Sequence, residues 1–192
     1  GSNTAVGYKA LEANTTASQN VAVGYQAGYS NTTAGNNVLI GYKSGYTGVT
    51  ATQVTGLGSN TLVSNTGSYN TGLGYGAMYA NTSGASNTAV GVEALAANTA
   101  ASNNTAVGYQ SAYSNTTAVQ GTFVGEQAGY SNTTGLGNTF IGSDSGYLNT
   151  TGTRNQFFGK NSGELITTGS KNTIIGAYNG NQGGLDIRTA SN

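Results

Sequence analysis

Apolar and polar residues recur along this chain at an interval of seventeen. Starting at Asn3, one pattern begins again at Asn20 and Asn37 and continues to a last unit that begins at Asn172. The unit that starts at Val54 is one residue short, so the chain holds eleven units, ten of seventeen residues and one of sixteen. A fixed short period predicts a repeat protein in which one small unit stacks on copies of itself.

Positions 2 and 4 of the unit hold Thr, Val, Ile or Leu in most copies. This alternation is typical of a β-strand, and these residue types favour strands. A helix is disfavoured because a glycine follows position 4 in every unit, and helical repeats need about 33 residues. We therefore predict an all-β fold, a parallel β-solenoid or β-roll in which each unit forms one coil of two short strands and two turns.

Position 4 is apolar in all eleven units, and we predict that it forms the structural core. These residues are Val6, Val23, Ile40, Leu57, Leu73, Val90, Val107, Val124, Ile141, Phe158 and Ile175. Position 5 is always glycine, which we predict to form a turn. The turn glycines are Gly7, Gly24, Gly41, Gly58, Gly74, Gly91, Gly108, Gly125, Gly142, Gly159 and Gly176.

Asparagine dominates positions 1 and 12, where it predicts turns, and stacked amides can form hydrogen-bonded ladders. Seven asparagines also lie in acceptor sequences for N-glycosylation, which leaves a second interpretation open. They are Asn14, Asn31, Asn81, Asn103, Asn115, Asn132 and Asn149.

Eleven of the thirteen tyrosines fall at positions 6 and 10, so they predict two interrupted aromatic files along the solenoid. We interpret the file at position 10 either as a stacked aromatic ladder or as a surface that contacts glycans. It consists of Tyr29, Tyr46, Tyr79, Tyr113, Tyr130 and Tyr147.

Position 3 changes from mostly Ala or Gly to Phe123, Phe140 and Phe157 in the later units. In a regular strand position 3 lies opposite positions 2 and 4. Because we place position 4 inside, we predict that these three phenylalanines contact a neighbouring subunit.

Charge and composition narrow the function. Six basic and six acidic residues give a net charge of zero, so we expect no nucleic-acid partner. The sequence has no Cys and no His, and no apolar run approaches the length of a membrane span, so we expect no metal site, no cofactor and no membrane insertion. The acidic residues are scattered. Glu126 and Asp144, in adjacent units, are the best candidates for a pair of catalytic carboxylates, but we interpret them as a solvated edge and predict no enzyme.

The unit Asn104-Thr-Ala-Val-Gly-Tyr-Gln-Ser111, spaced by Asn-Thr-Thr, resembles repeats of bacteriophage tail fibres, especially of marine phages. Asn20-Val-Ala-Val-Gly24 resembles, more loosely, the head repeats of trimeric autotransporter adhesins. The resemblance implies a homotrimer of parallel β-rolls, left-handed in the adhesins, that is displayed to a cell surface. The adhesin unit is shorter, and none of the families' functional residues has a matching position here.

We therefore expect a non-enzymatic fibre or adhesin shaft, located in a virion tail fibre or on an extracellular surface, that holds a receptor-binding tip toward a host cell. Its partners would be copies of itself and host cell-surface glycans. The alternatives are an extracellular filament that polymerises end to end and, more remotely, an ice-binding protein. We predict a repeat shaft over residues 1–178 and, over residues 179–192, a terminal coil and a transition to a following module, so the chain would be a segment of a longer protein.

Overall fold

The chain folds into a parallel β-solenoid, which confirms the predicted fold class. The structure is a computed structural model and describes residues 1–48, 50–182, 185–186 and 189–191. Within these residues the secondary structure is entirely strands and turns, with no helix. Eleven strands form one sheet in sequence order, one strand per coil, and we number the coils 1 to 11 accordingly.

Each strand is three residues long and covers positions 2 to 4 of its unit. The strands are β1 Thr4–Val6, β2 Val21–Val23, β3 Val38–Ile40, β4 Thr55–Leu57, β5 Thr71–Leu73, β6 Thr88–Val90, β7 Thr105–Val107, β8 Thr122–Val124, β9 Thr139–Ile141, β10 Gln156–Phe158 and β11 Thr173–Ile175. Equivalent positions pair in register throughout, as Thr88 with Thr105 and Val90 with Val107. The short unit does not disturb this register, because Thr55 still pairs with Thr71. The missing residue is therefore absorbed in the turns of coil 4.

The glycine at position 5 ends the strand in every coil. The eleven glycines have φ between +110° and +142°, a backbone conformation that L side chains rarely adopt. Close packing adds a second requirement: a Cβ on Gly24 would lie 2.5 Å from the carbonyl oxygen of Gly41 in the next coil. Both constraints explain why only glycine occurs at this position.

The predicted second strand of each coil does not form. Positions 7, 9 and 17 have positive φ in nearly every coil, for example Gln110 at 49°, Ala112 at 51° and Gln120 at 61°. Left-handed residues that alternate with right-handed ones cannot make an extended strand. The segment still bonds from coil to coil, as when the Lys43 amide donates to the Tyr25 carbonyl at 2.9 Å.

The core contradicts the prediction from position 4. Position 3, not position 4, faces the interior: Ala22, Leu39, Ala106 and Phe140 are all buried. Val6, Leu57, Leu73, Ile141 and Ile175 at position 4 are exposed, and the other six residues of that file (Val23, Ile40, Val90, Val107, Val124 and Phe158) are half-buried on the outer face. Strand alternation puts only one of the two positions inside. The narrow coil admits the central residue, whose size is matched by the residue at position 9, so uniform apolar character at position 4 was a misleading signal.

The interface prediction for the phenylalanines is wrong for the same reason. Phe123, Phe140 and Phe157 have no exposed surface and lie inside their own solenoid. The rings of Phe140 and Phe157 stack at 4.8 Å between centroids, and Phe123 meets Phe140 edge-on at 5.6 Å. They therefore fill the core of coils 8 to 10 and cannot contact a neighbouring subunit.

Buried asparagines join successive coils. At position 1, the backbone amide of Asn104 donates to Oδ1 of Asn87 at 3.0 Å, and Nδ2 of Asn87 donates to the Ala101 carbonyl at 2.8 Å. At position 12, Nδ2 of Asn115 donates to the Ala118 carbonyl within the same coil. Buried polar groups are stable only when they are hydrogen-bonded, so these amides make each coil depend on its neighbour.

The parallel stack ends after coil 11. There β12 Asn181–Gln182 pairs with β13 Leu185–Asp186 in the antiparallel sense. The predicted transition at residues 179–192 covers this pair, but residues 183–184, 187–188 and 192 lie outside the described residues. The division into a shaft and a following module stays a prediction.

Candidate functional surfaces

The outer strand face is the largest regular surface of the solenoid. It is formed by positions 2 and 4 of the eleven strands, which carry a file of mostly threonine beside a file of aliphatic residues. Neither file contains a charged residue. With strands about 4.8 Å apart, the face is roughly 50 Å long.

The tyrosines form stacked files at the next corner. At position 10 the rings of Tyr113 and Tyr130 lie 5.2 Å apart with an angle of 5° between their planes, and Tyr130 stacks on Tyr147 at 5.1 Å. Tyr29 and Tyr46 stack in the same way, and at position 6 so do Tyr8, Tyr25 and Tyr42. One edge of these rings remains in solvent, so the files both stabilise the corner and present aromatic surface.

Two lysines at position 7 lie against these rings. Nζ of Lys43 is 5.4 Å from the centroid of Tyr42 and 5.1 Å from that of Tyr46. Nζ of Lys9 lies 5.6 Å from the Tyr8 centroid and 5.7 Å from the Tyr29 centroid. These distances are within the range of cation–π interactions.

Lys9 also forms an ion pair with Glu12, with 3.1 Å between Nζ and Oε2. The hydrogen bond to Glu12, and then the charge of that carboxylate, raise the pKa of Lys9 above its ordinary value. Both side chains are well exposed, so we expect the pair to orient Lys9 and to add little to stability.

The files are interrupted between coils 4 and 7, and a cavity of about 330 Å³ opens there. Tyr75, Tyr79 and Tyr113 provide its aromatic walls, and Glu93 and Asn60 are its polar groups. Gly76, Ala96 and Ala97 complete the lining. Sequence analysis did not identify this site, although glycine at position 7 and alanine at position 10 were visible departures from the repeat.

The pair proposed as the best catalytic carboxylates lies in adjacent coils, with the Asp144 amide donating to the Glu126 carbonyl at 2.9 Å. The Asp144 carboxylate accepts a hydrogen bond from the Ser143 hydroxyl, and Glu126 is exposed. Neither residue lines the cavity described above. Among the described residues there is also no cluster of acidic side chains that could hold a metal ion.

The glycosylation sequences are mostly inaccessible. Asn31, Asn81, Asn115, Asn132 and Asn149 are buried. Of the other two, Asn14 is half-buried and Asn103 is exposed. In the folded chain the five buried side chains cannot carry a glycan, which favours the interpretation of asparagine as a structural residue of the turns.

Across the described ranges, none of the structure is a helix long and apolar enough to cross a membrane. Comparison of the chain with protein-family models, with curated proteins and with solved structures finds no significant match.

Proposed function

We propose that this chain is part of the shaft of a structural fibre, and that its outer strand face packs against the same face in other copies of the chain. The observation that carries the proposal is the outward position of the aliphatic file. Leu57, Leu73 and Ile175 are 43%, 42% and 82% exposed along one continuous, uncharged face.

An apolar strip of this length favours burial in a partner. A second copy is the best match, because its strands repeat at the same spacing and its side chains therefore fit the first copy coil by coil. Parallel packing of several copies would cover the face without any change in the coil. The lack of charge on the face removes the repulsion that would oppose pairing of identical surfaces.

The resemblance of the repeat unit to phage tail-fibre repeats supports a place in such a fibre, as a homotrimer that holds a receptor-binding tip away from the particle. The mechanism is mechanical. Coil-to-coil hydrogen bonds run along the whole rod, so its length and direction are set by the number of coils.

The test is the mass of the chain in solution, measured by light scattering for the native chain and two double variants. Leu57→Lys with Leu73→Lys places charges on the strand face. Leu136→Lys with Leu148→Lys makes the same change at residues that are 46% and 37% exposed elsewhere on the coil. We expect a trimer for the native chain and the second variant, and a monomer for the first.

A native chain that is monomeric at about 100 µM would overturn the proposal. Electron micrographs of the native chain separate a shaft from the alternative of an end-to-end polymer. Discrete rods of one length favour the shaft, whereas filaments of increasing length favour polymerisation through the open ends of coils 1 and 11.

One observation favours a second candidate, ice binding. The threonines of position 2, among them Thr55, Thr71 and Thr105, point outward in a single file, whereas the sequence suggested that they lie in the strand core. A flat face of regularly spaced hydroxyl and methyl groups is the kind of surface that could order water. Thermal hysteresis that the Leu57→Lys, Leu73→Lys variant loses would support this function, and its absence in the native chain would exclude it.

A further inference from the structure

Coil 3 shows how the two tyrosine files hold a cation. Lys43 lies between Tyr42 at position 6 and Tyr46 at position 10, with its ammonium 5.4 and 5.1 Å from the two ring centroids. The electron-rich faces of both rings attract the charge. The chain thus contains an example of an ammonium group bound at this corner.

Coil 5 keeps both tyrosines, as Tyr75 and Tyr79, but has Gly76 in place of the lysine. A Cβ added to Gly76 would make one ordinary contact, at 3.5 Å with Cγ of Glu93. The space that the Lys43 side chain occupies in coil 3 is therefore open in coil 5, and it forms part of the 330 Å³ cavity.

A second replacement widens this opening. Ala96 stands at position 10 of coil 6, between Tyr79 of coil 5 and Tyr113 of coil 7. Where the file is intact, neighbouring rings lie 5.1 to 5.2 Å apart, so loss of one ring leaves a slot between two tyrosines. Tyr79 and Tyr113 form two walls of the cavity, and Tyr75 forms a third.

The cavity also has a negative charge of its own. Oε2 of Glu93 accepts a hydrogen bond from Nε2 of Gln110 at 2.8 Å, which holds the carboxylate at the cavity wall. In the part of the chain that the structure describes, the one ion pair is Lys9 with Glu12, so Glu93 has no cationic partner. Three aromatic walls and one unpaired carboxylate are complementary to an organic cation.

We propose that this cavity binds an alkylammonium group, with Tyr75, Tyr79 and Tyr113 enclosing the cation and Glu93 balancing its charge. The ligand class is a substituted ammonium such as the choline group, which would be carried by a surface lipid or glycan or be free in solution. The site adds a lateral binding function to the solenoid and does not depend on the proposed function as a shaft.

The test is an NMR titration of the chain with choline chloride. The control ligand is 3,3-dimethylbutan-1-ol, which has the shape of choline without its charge. We expect saturable shifts at the amides of Gly76, Glu93, Ala96 and Ala97, with a Kd of about 1 mM, and binding of the neutral alcohol at least tenfold weaker. Equal binding of both ligands, or no saturable shift with choline, would overturn the proposal.

Two variants locate the site. Gly76→Lys places a lysine where Lys43 occurs in coil 3, and its backbone suits the change, because φ is 64° at Gly76 and 53° at Lys43. We expect this variant to fold and to lose choline binding, because its own ammonium fills the cavity. Glu93→Gln should weaken binding at least fivefold, whereas Glu126→Gln, a matched change three coils from Tyr75, should leave it unchanged. Native affinity in the Gly76→Lys variant would contradict the assigned site.

Where choline binds as expected, titration with phosphocholine and with vesicles that contain phosphatidylcholine identifies the source. Binding of phosphocholine alone indicates a soluble or glycan-borne group, and binding of the vesicles indicates a lipid headgroup.

Discussion

Phe140 and Gly146 share one space in the core of coil 9. A Cβ on Gly146 would lie 2.5 Å from both Cδ2 and Cε2 of the Phe140 ring, closer than any real contact. The same two positions, 3 and 9, hold Ala89 and Leu95 in coil 6, and Gly72 and Met78 in coil 5. A large residue at one position is thus accompanied by a small one at the other, and the coil keeps its cross-section.

This relationship predicts strong non-additivity in coil 9. Phe140→Ala should destabilise the chain by about 3–5 kcal/mol through the cavity it leaves, and Gly146→Leu by about 1–3 kcal/mol or more through overpacking. The double variant reproduces the pair found in coil 6 and should recover at least about 2 kcal/mol relative to the sum. Denaturant unfolding followed by circular dichroism measures all four chains. Additive losses would show that the two positions do not share volume.

The asparagine ladder predicts a large effect of a small change. Asn87→Asp keeps an oxygen for the Asn104 amide but removes the NH₂ group that donates to the Ala101 carbonyl. The variant would bury either an unpaired carbonyl or a carboxylate, and we expect a loss of about 2–4 kcal/mol in the free energy of unfolding. Asn103→Asp is the matched control, because Asn103 is exposed one residue away. Equal losses in both variants would refute a role for the ladder.

The turn glycines predict a difference between two kinds of positive φ. Gly142→Ala, at φ 131°, would bring its Cβ within 2.5 Å of Gly159 in the next coil, and we expect a loss of about 3 kcal/mol or more. Gly137→Ala, at φ 65° and with Arg154 Cγ as its nearest neighbour at 3.6 Å, should cost about 1 kcal/mol. Thermal unfolding of the two variants compares them directly. A smaller effect at Gly142 than at Gly137 would contradict the packing described here.

The ion pair at the first coil predicts a local pH effect. The hydrogen bond to Glu12 raises the pKa of Lys9, so the interaction is present below the pKa of the unfolded chain and is lost as the pH rises through the folded pKa. We expect the pKa of Lys9, followed by NMR of its side-chain nitrogen, to fall toward the ordinary value in Glu12→Gln. The pKa of Lys43, which carries the same tyrosine contacts without this ion pair, should not change. An unchanged value for Lys9 in the variant would exclude Glu12 as the cause.

The repeat by itself determined the architecture. A seventeen-residue period with a three-residue apolar alternation and a glycine after it can bury side chains only by stacking coil on coil, and the parallel sheet in register follows from that. The stacked tyrosines follow as well, because any side chain that recurs at one position lies next to its own copy at the spacing of strands.

Which face of the strand is inside was decided by tertiary structure. Positions 3 and 4 both carry apolar residues, and the choice depends on how much volume the narrow coil can hold once position 9 is counted. Val107 and Phe123 show the outcome: the uniform aliphatic file lies outside, and the variable residue lies inside with its size matched across the coil. The cavity at Gly76 likewise needed the structure, because it arises where substitutions in neighbouring coils meet in space.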